Sequence, residues 1–98
     1  MKVKPIVDIE TALRIYYEHS EIDNNQIREL FGNIGSATQA KYKKAVKEEQ
    51  ATRGIKTMQM NAVNTEIAYD VWGIDVEDLE KRHKKLKSLG LIKEKVRA

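Results

Sequence analysis

Apolar residues return at helical spacing in several stretches of this chain, with glycine- or asparagine-rich breaks between them. Ile9, Ala12, Leu13, Tyr16 and Tyr17 follow the i, i+3, i+4, i+7, i+8 order of one buried stripe. They predict a first helix from about Asp8 to Ser20, with Asp8 as its N-cap. After a break at Glu21–Asn24, Asp23 and Gln26 have the spacing of a capping box. A short second helix, Asn24 to Phe31, then buries Ile27, Leu30 and Phe31. It stops at Gly32-Asn33-Ile34-Gly35, where glycine and asparagine accept a left-handed backbone. Ser36 is the expected cap of a third helix, with Gln39 in the third position of the box, running to about Thr52 before Arg53-Gly54.

Ile55 to Met60 alternates apolar and polar residues and reads as either a short strand or a linker. A fourth helix is expected from about Ala62 to Trp72, with Val63, Ile67, Ala68, Val71 and Trp72 inward. Gly73 ends it, and Asp75 caps a fifth helix from Val76 to about Leu89, which stops at Gly90 before Leu91-Ile92. Pro5 and its β-branched neighbours make an extended lead-in. The fold class is therefore all-α with about five helices. A length of 98 residues fits one domain, 1–98. Within it, residues 8–53 form a three-helix unit with a helix-turn-helix, and 61–92 a helical hairpin for packing or dimerisation.

Net charge, at +3, argues for no particular partner, but its distribution does. Residues 5–35 carry six acids against two bases, and 36–58 six bases against two acids. Residues 59–80 carry six acids and no base, and 81–98 eight bases and one acid. Such segregation builds local potentials that the net figure hides. The positive third helix sits directly after the glycine turn. At about 100° per residue, Tyr42, Ala45, Val46 and Glu49 share a side with Thr38, while Ser36, Ala40, Lys43, Lys44 and Lys47 lie opposite. One face suits a core and the other a groove. Tyr42, Ala45 and Val46 seat the helix, and Ile34 plugs the junction. Ala40 permits close approach, and Gln39 is placed to read a base edge. Lys43, Lys44 and Lys47, flanked by Lys41 and Arg53, are placed to meet phosphates.

Residues 24–52 thus resemble the helix-turn-helix domains common in small phage and mobile-element regulators. The resemblance covers about a third of the chain. It implies sequence-specific binding of double-stranded DNA through the helix after the turn, here Ser36 to Lys47, in transcription control or another mobile-element process. Arg28 departs from the usual form, standing where a small residue generally lets the two helices pack. A lone copy would contact few base pairs, so a homodimer is expected, through the second half.

That second half offers a competing helix-turn-helix, Thr65 to Ile92. Its last helix opens with Asp75, Glu77, Asp78 and Glu80, which repel phosphate but suit the helix dipole. Lys81, Arg82, Lys84, Lys85 and Lys87 follow, suited to a DNA backbone or to the acidic segment of a second copy. If no nucleic acid is bound, the alternative is an adaptor that meets a protein partner through 59–98. Tyr69 and Trp72 are expected in the core, His83 as a half-buried packing residue, and His19 at a helix end. RNA is disfavoured because no aromatic-studded sheet motif occurs.

There is no cysteine, so disulfides and thiolate metal sites are excluded. No phosphate-cradling glycine loop, no nucleophile–base spacing and no clustered histidine–carboxylate set occurs. Adjacent acids such as Glu48-Glu49 diverge on a helix. Neither enzyme activity, nor a metal or cofactor, nor a small-molecule substrate is expected. Lys2, Lys4 and Pro5 lead into no signal-like apolar run, and no stretch reaches the roughly 18 residues of a membrane span. The expected location is the cytoplasm.

Overall fold

In a computed structural model, which describes residues 1–90, the stripes become five helices and one pair of very short strands. The order is α1 (Ile9–Glu18), β1 (Glu21–Ile22), α2 (Asn24–Phe31), α3 (Ser36–Arg53), β2 (Val63–Asn64), α4 (Thr65–Trp72) and α5 (Val76–Ser88). Leu91-Ile92, Lys93, Lys95 and Arg97 lie outside the described residues, and with them the end of the 61–92 hairpin. Local chemistry sets the helix starts. Asp8 accepts from Thr11 N–H at 2.9 Å and from the Thr11 hydroxyl at 2.6 Å. The hydroxyl bond, more than the backbone one, holds the Asp8 carboxyl below its ordinary range. Asp23 and Gln26 close the expected capping box, and Asp75 accepts from Asp78 N–H at 3.2 Å.

The core gathers around α4. Trp72 meets Phe31 edge-on at a ring separation of 5.3 Å, and Phe31 meets Tyr42 at 5.2 Å. Trp72 Nε1–H donates to the Tyr42 carbonyl at 3.3 Å, while Tyr69 O–H donates to the Ala12 carbonyl at 2.6 Å. Burial pushes the Tyr69 phenol well above its ordinary value. One short helix thus tethers α3 and α1 by buried hydrogen bonds. On the far side of α1, α5 packs through Leu79, and His83 Nε2 lies 3.2 Å from Glu10.

One open alternative closes and three expectations change. Ile55–Met60 is linker: the strand lies later, where Ile22 pairs with Val63 and Glu21 with Asn64, antiparallel. Buried β-branched side chains fix this pairing, whereas the alternation at 55–60 turns Met58 and Met60 to solvent. Helix α4 begins three residues later than the pattern suggests, because Val63-Asn64 forms β2 and Asn64 caps the helix through Ile67 N–H. Tyr17 does not join the α1 stripe: it is 65% exposed and reaches Glu80 on α5, while Ile15 is buried in its stead. Arg28 faces solvent, so it does not stand between α2 and α3.

The α2–α3 turn rests on one glycine. Gly32 has φ 81° and ψ −153°, a region essentially closed to side chains, and an added Cβ would meet Val7 Cγ2 at 3.4 Å. Gly32→Ala is expected to cost about 1–3 kcal/mol in urea unfolding. A loss of only a few tenths would show that the turn relaxes freely.

Candidate nucleic-acid interface

Helix α3 is held by four buried side chains, Gln39, Tyr42, Val46 and Gln50. Tyr42 Oη accepts from Lys4 N–H at 3.0 Å, and Gln50 Oε1 accepts from Asn64 N–H at 2.7 Å. The helix is therefore anchored at its start to the lead-in segment and near its end to β2. Among the described residues its outer face is left uncovered. Along the midline run Ala37, Ala40, Lys44, Glu48 and Ala51, all exposed; Lys41 lies on one flank and Lys47 on the other.

This face borders a trough of about 600 Å³, lined by Asn24 of α2 and by Ser36, Ala40, Lys43, Lys44, Lys47, Glu48 and Ala51. Three ammonium groups line it against the single carboxylate of Glu48. A side-chain-clad helix is about 10–12 Å across, close to the width of a DNA major groove. The alanines lower the ridge that would enter first.

Of the expected contacts, Ser36, Ala40, Lys41, Lys44 and Lys47 are exposed on this face. Ser36 is not the cap of α3, however. Gly35 holds that position with no side-chain bond, and Ser36 is the first helical residue. Its hydroxyl is thereby left available to a ligand.

Gln39 is corrected outright. It forms the floor of the trough, 2% exposed, with Nε2–H donating to the Ile34 carbonyl at 3.2 Å. It closes the turn and cannot read a base from there. Gln39→Ala is expected to cost about 1–3 kcal/mol, since that buried carbonyl loses its donor, and to leave the DNA sequence preference of the folded protein unchanged. Altered preference with unchanged stability would reverse the assignment.

Arg53 is likewise committed elsewhere. It pairs with Glu49 at 3.0 Å and with Asp70 of α4, pinning the end of α3 to α4. Lys43 is half-buried, and its Nζ–H donates to the Asn61 carbonyl at 2.5 Å. Desolvation, with Lys47 nearby, holds its ammonium below the ordinary lysine value. Lys43 therefore fastens the 55–62 linker to one flank of α3.

Asn24, Ala37, Ala51 and Asn61 were not singled out by sequence. Asn24 carried a usable signal, its place directly after the Asp23 cap at the start of the helix that precedes the glycine turn. Asn61 carried none, since only the folded linker brings it to Lys43. The start of α5 differs from α3 in sign. Glu66, Asp70, Asp75 and Glu77 line a shallow acidic cleft beside Tyr16.

Among the described residues no helix is long and apolar enough to cross a membrane, and no group of three or more His, Cys, Asp or Glu is placed to hold a metal ion. No family model matches the chain, and neither a curated protein nor a solved structure matches it.

Proposed function

We propose that the chain binds double-stranded DNA by laying the outer face of α3 in the major groove, as a regulator in phage or mobile-element biology. The carrying observation is the outer face of α3: exposed Ser36, Ala37 and Ala40 at the helix start, Lys41 on one flank and Lys47 on the other, with a trough beside them lined by Lys43, Lys44 and Lys47. Small residues permit contact with base edges and thymine methyls, and the flanking lysines suit the two phosphate strands that border the groove. The glycine turn, the buried Gln39 and the anchors at Tyr42 and Gln50 fix the angle at which that face is offered. Two copies bind as a dimer on adjacent half-sites, since one helix spans few base pairs.

A fluorescent random-sequence duplex titrated across a salt series tests this. Affinity is expected to fall steeply as salt rises, with a log–log slope of about −0.9 for each phosphate neutralised. A second reading, a protein adaptor, is favoured by the acidic cleft of Glu66, Asp70, Asp75 and Glu77. It predicts no duplex binding even at low salt, together with capture of a basic partner that is lost when Glu66 and Asp70 become lysine.

A further inference from the structure

Met58 is 96% exposed and Met60 is 90% exposed, in a chain whose other large apolar side chains are mostly covered. Two fully solvated methionines one residue apart lose apolar burial that the fold does not recover. Their loop is nevertheless held in place. The Glu21 carboxylate accepts from Met58 N–H at 2.6 Å and from Gln59 N–H at 3.0 Å. The Thr57 hydroxyl donates to the Gln59 carbonyl at 3.1 Å, and Lys43 grips Asn61. Glu21 in turn lies in β1, so the loop tip is built onto the sheet.

The loop also adjoins the basic trough. Lys43 belongs to the trough and to the loop anchor alike. Asn24, which lines the trough, also lines a small hollow with Asp23, Asn25 and Asn61. Lys43 and Lys47 occupy the same flank of α3. With α3 in a major groove, that flank faces one phosphate strand, and across that strand lies a minor groove.

We infer that Met58 and Met60 form an apolar wedge that enters the minor groove beside the site held by α3, prising a base step and bending the duplex. This rests on the reading of α3 as the DNA contact. The chemistry agrees with the place: methionine is flexible and polarisable, and apolar side chains inserted at a base step kink DNA by roughly 20–90°. A loop positioned before binding gives up little freedom on contact.

The experiment uses the full chain and a duplex of about 30 base pairs, roughly three helical turns, recovered by selection from a randomised library and carrying a dye at each end. Wild type is expected to raise energy transfer between the ends. Met58→Ser with Met60→Ser is expected to abolish that rise and weaken binding about tenfold, with an unchanged salt slope, because no phosphate contact is removed. Its thermal unfolding is expected to match wild type, since both side chains are solvated. Lys44→Glu with Lys47→Glu reports separately on α3. If that variant loses salt-dependent binding while the serine variant binds and bends as wild type does, the wedge is overturned and the α3 reading stands. If the serine variant instead converts a dimer to a monomer in sedimentation, the methionines seat a second copy, and the wedge is again overturned. If wild type binds no duplex, both fall together.

Discussion

Replacing Lys41, Lys44 and Lys47 together with glutamate is expected to lower duplex affinity by two to three orders of magnitude at about 0.1 M salt and to flatten the salt slope by about 2.7. The size follows from counterion release. Each lysine on a phosphate contributes about 0.9 to the slope, so three contacts contribute about 2.7, and near 0.1 M each is worth nearly a factor of ten. All three side chains are exposed and none is bonded among the described residues, so circular dichroism is expected to report an intact protein. Lys43 is left out of the set because its loss would also free the Asn61 linker. A matched variant, Lys81→Glu with Lys84→Glu on α5, is expected to bind like wild type. The opposite pattern, with binding lost through α5 and kept without the α3 lysines, would move the contact to the C-terminal helix.

Trp72→Ala is expected to destabilise the protein by about 3–5 kcal/mol, the range for removing a buried large aromatic side chain. In a domain of this length that is a drop of roughly 12–40 °C in thermal midpoint, and a large share of the whole stability. Trp72 touches both Phe31 of α2 and Tyr42 of α3, so its removal opens the junction that sets the angle of the outer face of α3. The Tyr42 carbonyl would also lose the indole N–H as its donor. Trp72→Phe keeps most of the volume and is expected to cost less than half as much. Equal losses for the two variants would mean that the hydrogen bond, and not the volume, dominates.

Helices were legible from sequence wherever an apolar stripe and a cap agreed, as at Asp23, Gln26 and the Ile27–Leu30–Phe31 stripe, or at Asp75 and Leu79. The misreadings have a common physical source. Gln39 and Gln50 are polar in composition but sit on the buried side of α3, each satisfied by a backbone group that lies outside the helix. A hydrophobicity pattern cannot see that satisfaction, so the pattern assigned Gln39 outward. Tyr17 erred in the other direction: its ring spacing fitted the stripe, yet its hydroxyl found Glu80 on a helix more than sixty residues later. The two-residue strands rest on pairing between β1 and β2, which no local window contains. The lysine face was visible in advance because solvated charge needs no partner. Lys43 and Arg53 differ because each met a partner only the fold supplies.

The hydroxyl of Tyr69 and the indole of Trp72 point from one eight-residue helix that follows the linker at 55–62 to the backbones of two helices that precede it. The first three helices are therefore not a module that can be lifted out. Cut after Lys56, the chain is expected to survive as two pieces that stay together and separate only in denaturant, whereas either piece made alone would lack half of its interior. A change in the length or sequence of this linker can therefore remodel the surface around Met58 and Met60 while leaving both sides of the shared interior untouched.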